Sequence, residues 1–504
     1  MFYYILPTVG REIFCELNRW MIPQPKEVWY DVRDNEKRSV QMIQDLLTNK
    51  KYLFASGANT ELRAQRNLNR RAVLLNGSLV GNVRTEQFGV SARVYENGVY
   101  GFSSTAEYTD ETVKAVLQAA SENAAFLAKH AGKGKGPHKA MAPSRSLTAY
   151  DLTDVEQRTY IEFGQALDSY IVQKYPDLVS RTVVVMADSM EKLLCVSNGC
   201  DGHSIIPRSY IYVMMTAMGA DGKPVELHKV VGGGYGSFDK NYVKPEDCYA
   251  EIDALYERIQ QKAKDGVYPD AGTKTVILGG ILSGMLAHEA VGHTVEADLV
   301  IGGSVAGPCL NKRVGSDLVN LVDFAHTAFG APTPLPVYVD DEGTAATDAV
   351  LIKDGILVGY MNNRESAERF DMVPTGNARA YLFSDEPLIR MRNTAVLPGK
   401  SKLEDMIASI DDGYYLTDTN NGQADTTGEF MFGVTFGYEI KKGKLGRPLL
   451  DTTISGVAFD MLKTVDMLSD EMIWASSGMC GKKQPMPVGM GGPAVKCRVN
   501  IGGR

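Results

Sequence analysis

The chain has 504 residues, of which 44% are hydrophobic and 23% are charged. Both fractions are close to the averages of globular proteins, so wholesale disorder and fibrous structure are excluded. The 61 acidic residues outnumber the 53 lysines and arginines, and the formal net charge is −8. Because nucleic-acid binding depends on a cationic surface, this balance predicts that nucleic acid is not a partner.

The cysteines and the apolar segments indicate the compartment. The seven cysteines include no C-x-x-C pair, which is typical of a reducing environment. The longest apolar stretch, residues 276–287, contains several glycines and is too short to span a bilayer. Residues 2–6 are apolar, but they lack the basic region and the cleavage site of a signal peptide. We therefore expect a cytoplasmic protein with no membrane partner.

The N-terminal part of the chain alternates strand and helix patterns. The Asn-Gly pairs at 76–77 and 97–98 are strong signals for tight hairpin turns. A capping-box pattern at 153–156 predicts the start of a helix. The remaining periodicity favours helices at 109–127, 153–173 and 245–264 and strands at 181–186, 192–197 and 209–218.

Composition also divides the chain into regions. Residues 1–30 match no pattern and form an N-terminal extension of unknown role. Residues 130–146 are rich in glycine, proline and lysine, which predicts an exposed, linker-like loop. A turn cluster near residue 268 separates an N-terminal α/β domain (31–268) from a C-terminal domain (269–504).

The C-terminal domain begins with a buried strand and an apolar helix. Short strands separated by turn pairs then follow, which is the pattern of a large antiparallel, barrel-like β domain. The predicted turn pairs are Asp354-Gly355, Asp412-Gly413, Asn421-Gly422 and Lys442-Gly443. The predicted class is therefore α+β, with antiparallel strands and helices in both domains.

One motif carries a clear chemical signal, His288-Glu289-Ala290-Val291-Gly292-His293, or H-E-x-x-x-H. Imidazole is a common zinc ligand, and a carboxylate beside a ligand can sit next to the water that a metal activates. The alternative is a pair of helical histidines held by local carboxylates. The motif favours a metal site, because its combination of residues is rarely met by chance.

The spacing of the two histidines requires a distorted helix. Residues five positions apart lie about 140° apart on an ideal α-helix, so both rings cannot face one metal. Either the helix ends near Gly292, or it widens there into a π-turn, which restores the two rings to one face. A glycine at this position permits either distortion.

Two histidines leave a catalytic zinc site one protein ligand short. Cys480 stands out because glycines flank it and the neighbouring Lys482 and Lys483 favour a thiolate. The alternative is that Cys480 is a small buried apolar residue. The full set of candidates is Glu296, Asp298, Cys309, His326 and Cys480.

Several segments resemble the TldD/PmbA family of zinc peptidases, and they occur in consistent order from about residue 85 to the C-terminus. The match is to the TldD type, whose subunit carries the H-E-x-x-x-H motif and a C-terminal cysteine ligand. One departure is Lys483-Gln484, where the family has Gly-Gln. The resembling segments are 89–93, 98–102, 286–298, 340–344, 374–377, 425–430, 480–482 and 487–489.

The resemblance implies one Zn²⁺ per chain, held by His288, His293 and Cys480, with Glu289 as the general base. It also implies an N-terminal α/β domain, a C-terminal barrel-like domain that carries the metal-binding helix, and a dimer. The dimer partner is a second copy of the chain or a TldE-type subunit.

The predicted function is a zinc-dependent peptidase that hydrolyses small or unfolded peptides through a metal-activated water. A substrate strand is expected to pair with an exposed edge of the barrel-like domain. The alternative is a non-catalytic peptide-binding or partner subunit with a structural metal site. A closed site with four protein ligands would favour that alternative.

Overall fold

The computed structural model describes residues 50–55, 57–130, 138–139, 141 and 143–502. The predicted extension at 1–30 lies outside the described residues, as does much of the predicted loop at 130–146. None of the helices in the described part of the chain combines the length and the hydrophobicity that a membrane crossing needs.

A seven-stranded sheet forms the N-terminal half. Its order is β3-β2-β1-β5-β6-β4, β7 also pairs with β6, and only the β4–β6 pair is parallel. The strands are β1 (Asn59–Leu75), β2 (Ser78–Glu96), β3 (Val99–Thr105), β4 (Ser144–Ala149), β5 (Ser180–Val196), β6 (Cys200–Met218) and β7 (Pro224–Tyr235).

Helices pack on this sheet because each presents one apolar face. Helix α1 (Asp110–His130) contacts β2 and β3, helix α2 (Gln157–Lys174) contacts β1 and β5, and helix α4 (Tyr249–Asp265) contacts β6 and β7. The Asn-Gly pairs at 76–77 and 97–98 adopt the positive φ values of tight hairpin turns, as predicted. The helices are α1 (Asp110–His130), α2 (Gln157–Lys174), α3 (Phe238–Asn241) and α4 (Tyr249–Asp265), with 3₁₀ turns at Lys51–Leu53 and Pro245–Cys248.

The C-terminal half contains a closed five-stranded barrel and a six-stranded sheet. The barrel runs β17-β8-β24-β20-β18 and closes through β17–β18, and the six-stranded sheet runs β13-β12-β9-β16-β23-β22. The predicted α+β fold with a barrel-like C-terminal domain is thereby confirmed. The strands are β8 (Gly272–Leu278), β9 (Leu321–Phe324), β10 (Thr327–Ala328), β11 (Ala331–Pro332), β12 (Ala349–Lys353), β13 (Ile356–Leu357), β14 (Ala378–Arg379), β15 (Leu388–Ile389), β16 (Asn393–Val396), β17 (Asp412–Ala424), β18 (Glu429–Lys441), β19 (Lys444–Pro448), β20 (Thr452–Val457), β21 (Met467–Leu468), β22 (Ile473–Cys480), β23 (Met486–Gly492) and β24 (Val495–Ile501).

A buried helical segment lies between the barrel and the six-stranded sheet, and it carries the H-E-x-x-x-H motif. It begins as an α-helix, continues as a π-helix and ends in a 3₁₀ turn, and the π-helix contacts β16 and β23 on one side and β17 and β18 on the other. Its elements are α5 (Gly280–Met285), the π-helix (Leu286–Gly292) and the 3₁₀ turn (His293–Val295). The remaining helices are α6 (Ala297–Ile301), α7 (Arg364–Phe370), α8 (Leu403–Ala408) and α9 (Ala458–Leu462), with a 3₁₀ turn at Gly307–Cys309.

Four local expectations from the sequence are wrong. The predicted turn pair Asp412-Gly413 forms the first two residues of β17 and pairs with β18. The two strands predicted at 181–186 and 192–197 form one continuous strand, β5. Helix α2 begins at Gln157, and its N-cap, Glu156, makes no side-chain capping bond, so the predicted capping box does not form. Asn421-Gly422 lies inside β17, and the hairpin turn falls four residues later.

The Asn421-Gly422 pair fails as a turn for a steric reason. The register between β17 and β18 shifts just before Asn421, whose side chain accepts a hydrogen bond from the Gly433 amide. A Cβ on Gly422 would lie 2.7 Å from the ring of Phe432. The glycine is therefore needed for the close packing of the barrel wall, and not for a turn.

The predicted domain boundary near residue 268 remains a prediction. One hydrophobic cluster crosses it, because Phe436 and Tyr438 of β18 pack with the apolar face of α4.

The first testable prediction concerns Gly292, at the end of the π-helix. Its backbone is ordinary for a helix (φ −53°, ψ −50°), but a Cβ would lie 2.2 Å from the Met391 sulfur and 2.9 Å from the Ala287 carbonyl oxygen. Since Met391 is fully buried, Gly292→Ala should lower the free energy of unfolding by about 1–3 kcal/mol. Chemical denaturation measures the change.

Gly307→Ala is the matched control, because its new Cβ would first meet Val300 at an ordinary 3.6 Å. We expect a change within about 0.5 kcal/mol for this variant. Equal stability of the two variants would contradict the steric explanation.

Candidate metal centre

Three side chains from two distant parts of the chain converge at the π-helix. The ligand atoms of His288, His293 and Cys480 all lie within 4.8 Å of one another, and this is the one such group of three or more in the described part of the chain. The Cys480 Sγ lies 3.5 Å from His293 Nε2, and the two imidazole centroids are 5.2 Å apart. The His288 side chain is fully buried, whereas 17% of the His293 side chain is exposed.

The π-helix is what brings the two histidines to one face. The His293 amide donates its hydrogen bond to the His288 carbonyl, five residues earlier, as a π-turn requires. The sequence left two possibilities open, a helix end or a π-turn, and the structure contains the π-turn. Gly292 contributes by its small size and not by an unusual backbone conformation.

Glu289 lies beside both imidazoles. Its carboxylate oxygens are 3.8 Å from His288 Nε2 and 3.7 Å from His293 Nε2. Burial raises the pKa of Glu289, and the two histidines partly oppose that effect. A raised pKa moves a carboxylate toward the range in which it can accept and return a proton at neutral pH.

Cys480 ends β22, and an arginine fixes the loop that follows it. The guanidinium of Arg390 donates to the carbonyl of Cys480 at 2.9 Å. It also donates to the carbonyls of Lys482 at 3.0 Å and Gln484 at 2.8 Å. Arg390 is fully buried, so the path of the cysteine loop is set by a group in the protein interior.

The electrostatic environment favours a thiolate. Burial alone would raise the pKa of Cys480, but the imidazoles of His293 and His288 outweigh it and hold that pKa well below its usual range. Burial alone would lower the pKa of His293, yet the carboxylate of Glu296 and the thiolate raise it well above its ordinary value. The two histidines, and not the two lysines named above, are therefore what lowers the pKa of the thiol.

Those two lysines have other environments. The Lys482 Nζ lies 2.8 Å from a carboxylate oxygen of Asp298 and 3.3 Å from Glu296, and Lys483 is exposed with a positive φ. Gln484 turns inward, accepting from the Tyr381 amide at 2.8 Å. The Lys-Gln departure from the family pattern therefore adds a lysine at the surface and no charge at the cluster.

The donor set fits a zinc ion. Neither ring nitrogen of the fully buried His288 finds a hydrogen-bond partner among the described residues, which is costly unless something else binds there. Two imidazoles and a thiolate are ligands that zinc prefers, and three protein ligands are typical of catalytic zinc. The assignment of His288, His293 and Cys480 as ligands remains a prediction.

The other candidate ligands lie elsewhere. Glu296 accepts a hydrogen bond from Nδ1 of His293, on the side of the ring away from Cys480, and Asp298 pairs with Lys482. His326 stacks on Tyr338, with ring centroids 4.9 Å apart. Cys309 is half-buried in a 3₁₀ turn and is not part of the cluster.

The acidic segment at 340–344 joins the two halves of the molecule. Asp341 lies 2.6 Å from Lys192 on β5, and Glu342 lies 2.7 Å from Arg93 on β2. All four side chains are largely buried. These residues stabilise the interface between the halves and do not contribute donor atoms to the cluster.

The segment at 374–377 joins the backbone of Arg390 to a buried ion pair. Asn377 donates to Asp323 at 2.8 Å and to the Arg390 carbonyl at 3.0 Å, and Asp323 forms a buried ion pair with Arg392 at 2.8 Å. Sequence reasoning did not identify Arg390 or Arg392 as functional. The alternation of charged and apolar residues in Arg390-Met391-Arg392 is the sequence signal that could have drawn attention to them.

Residues 271–503 match the profile of the PmbA/TldA metallopeptidase C-terminal domain, and residues 60–124 match that of PmbA/TldA metallopeptidase domain 1.

Among the relatives, a protein of Methanothermobacter thermautotrophicus named metalloprotease is 30% identical over 423 residues, which is 81% of this chain and 87% of the relative. A zinc metalloprotease TldD homolog of Saccharolobus solfataricus is 36% identical over 251 residues, 49% of this chain and little more than half, 56%, of the relative.

The crystal structure of TldE from Thermococcus kodakarensis is similar in fold. Its TM-score is 0.69 at 16% sequence identity, and the match covers 92% of this chain and 100% of that one. At this level of identity the likeness concerns the fold alone. Taken with the profile matches and the sequence relatives, the motif and its surroundings identify the chain as a member of the PmbA/TldD metallopeptidase family.

Proposed function

We propose that the chain is a zinc-dependent peptidase that hydrolyses small or unfolded peptides. The observation that carries the proposal is the convergence of His288, His293 and Cys480 with Glu289 beside both rings. Relatives named metalloprotease and zinc metalloprotease support it at the level of the family.

The donor residues divide the work. His288, His293 and Cys480 would hold the zinc ion, and a lowered pKa makes Cys480 available as the thiolate that a metal requires. When bound, zinc supplies Lewis-acid chemistry, which polarises a peptide carbonyl and makes water easier to deprotonate.

Glu289 would act as the general base. It would accept a proton from the attacking water and then pass the proton to the departing amine, so that the carboxylate is regenerated in its charged form after each turnover. Its burial suits both steps. A raised pKa brings Glu289 closer in pKa to the water that would give up the proton and to the amine that would receive it.

The alternative of a structural, four-ligand site has less support. Glu296 was the carboxylate considered as a fourth ligand, but it lies on the Nδ1 side of His293, and its Oε2 is engaged by that nitrogen at 2.8 Å and by Lys482 at 3.3 Å. A three-ligand site leaves a coordination position for catalysis.

Burial of the cluster supports small or unfolded substrates. His288 and Cys480 are at most 1% exposed, so the most accessible ligand is His293. Such burial would exclude a folded protein surface, so we propose that the substrate is a small peptide or an extended chain. The edge at which a substrate strand pairs remains a prediction, but β22 is already engaged near Cys480, where Arg208 donates to the carbonyls of Ser476 and Gly478.

We also propose that the chain works as a dimer, either with a second copy or with a TldE-type subunit. This part of the proposal depends on the family resemblance. Light scattering of the purified chain, alone and mixed with a TldE-type protein from the same source, measures the assembly.

The second testable prediction separates the base from the ligands. Glu289→Gln keeps the size of the side chain but cannot accept the proton, so peptide cleavage should fall by about 10²-fold to 10⁴-fold. Zinc content should stay at one ion per chain, as metal analysis will show. A variant that loses its zinc would contradict the assignment of Glu289 as base, because it would make Glu289 a ligand.

The third prediction concerns the thiolate ligand. Cys480→Ser should lose zinc on dialysis that leaves the wild-type protein loaded, since a serine hydroxyl is a poor zinc ligand at neutral pH. Cys309→Ser is the matched control and should keep its metal, because Cys309 lies outside the cluster. Retention of zinc by the Cys480 variant would exclude the sulfur as a ligand.

The fourth prediction concerns the substrate. The zinc-loaded protein should digest reduced and carboxymethylated α-lactalbumin but leave native α-lactalbumin intact, because the site is enclosed. Mass spectrometry of the products measures cleavage, and a chelator-treated sample is the control for contaminating metal-independent proteases. Equal digestion of the native form would contradict the proposed restriction.

A further inference from the structure

A buried carboxylate lies directly behind one of the proposed ligands. Glu296 is fully buried, and its Oε2 is 2.8 Å from Nδ1 of His293. The other nitrogen of the same ring, Nε2, faces Cys480 Sγ at 3.5 Å. The two nitrogens of His293 are thus divided between the carboxylate and the donor cluster.

The backbone of Glu296 caps the 3₁₀ turn that follows the π-helix and is also held by contacts with residues outside that helical segment. Its residue has an extended conformation and forms a bridge with Met361, and its carbonyl accepts from the amides of Leu299 and Val300 at 2.9 and 3.0 Å. The carboxylate is therefore presented from a segment that is anchored to Met361 and to the first turn of α6.

Lys482 connects this support to the loop of the third ligand. Its Nζ is 3.3 Å from Glu296 Oε2, 2.8 Å from Asp298 and 2.9 Å from the Ile389 carbonyl. The lysine is only 9% exposed and follows Cys480 by two residues. One ammonium group thus ties the cysteine loop to the segment that supports His293.

We infer that Glu296 and Lys482 are positioning residues for the metal centre. Glu296 keeps a proton on Nδ1 of His293, so that the lone pair of Nε2 is directed at the metal. The Lys482 ammonium holds the Glu296 carboxylate in place. Because Lys482 is itself part of the loop that follows Cys480, the same contact fixes the position of that loop. Two of the three ligands are thereby placed by one hydrogen-bonded network.

This inference rests on the proposed zinc site and specifies how the site is held. A different explanation is that the network is an ordinary buried ion pair, which stabilises the fold and has no effect on the metal. If the network positions the ligands, its loss weakens zinc binding even in a variant whose fold is as stable as the wild type. If it is an ordinary ion pair, its loss leaves zinc affinity unchanged.

The experiment measures the zinc dissociation constant by competition with a chromophoric chelator, in parallel with thermal unfolding of the metal-free proteins. Glu296→Ala should weaken zinc binding by about 10-fold to 100-fold, as loss of such a partner does in other zinc sites. Glu296→Gln retains an acceptor for the Nδ1 proton and should recover most of that loss. Lys482→Met should weaken binding in the same direction as Glu296→Ala.

Lys483→Met is the matched control, because this adjacent lysine is exposed and forms no ion pair with Glu296 among the described contacts. It should bind zinc as tightly as the wild-type protein. A long-range ¹H–¹⁵N spectrum of the zinc-loaded protein adds a direct view of the ring, and the Nδ1 proton of His293 should be protected from exchange in the wild type and lost in Glu296→Ala.

Zinc affinity within about threefold of wild type in both Glu296→Ala and Lys482→Met would overturn the inference, whatever happens to their stability. The isosteric Glu296→Gln keeps the test decisive if the alanine variant does not fold, because the Nδ1 proton signal and the affinity must then both be retained. If the wild-type protein itself binds no zinc, the proposed function fails, which is a different outcome from equal binding by wild type and variants.

Discussion

The five-residue separation of His288 and His293 is the constraint on which the rest of the centre depends. An ideal α-helix points two such rings away from each other, and the π-turn between them removes that difference. A π-turn is intrinsically less favourable than an α-turn, so it has to be held by its surroundings. Here it is enclosed between the barrel and the six-stranded sheet. Because Gly292 has no side chain, the Met391 side chain packs directly against the widened turn.

Cys480, the proposed third ligand, comes from the strand-rich part of the C-terminal half, and buried arginines organise the backbone around it. Arg390 holds the loop after Cys480 through three carbonyl groups. Arg392, two residues later, forms a buried ion pair with Asp323. A buried guanidinium without partners is costly, so each of these side chains fixes the backbone that satisfies it. The geometry of the cluster is therefore a consequence of interior hydrogen bonding as much as of apolar packing.

Sequence reasoning succeeded where the signal is local. The Asn-Gly hairpins, the main helices and the distorted H-E-x-x-x-H helix all follow from backbone preferences and residue spacing within a few positions. It failed where a residue's role depends on a distant neighbour. Asn421-Gly422 has the composition of a turn, but Gly422 is required by the ring of Phe432 across the barrel wall.

The same distinction applies within the metal centre. Cys480 could be selected by its flanking glycines and by the family resemblance, but the lysines beside it were interpreted as neighbours of the thiolate. Lys482 in fact pairs with Glu296 and Asp298, whose approach depends on how the chain leaves the π-helix. Arg390 was not identified, because no pattern in its vicinity indicates which carbonyl groups a buried guanidinium will bind.

X-ray absorption spectroscopy of the zinc-loaded protein tests the central interpretation most directly, because it reports the ligand atoms without requiring activity or a variant. A centre made by His288, His293 and Cys480 predicts one sulfur at about 2.3 Å, with imidazole nitrogens at about 2.0–2.1 Å, in the zinc coordination shell. A shell of nitrogen and oxygen atoms alone, or one with two or more sulfurs, would contradict it.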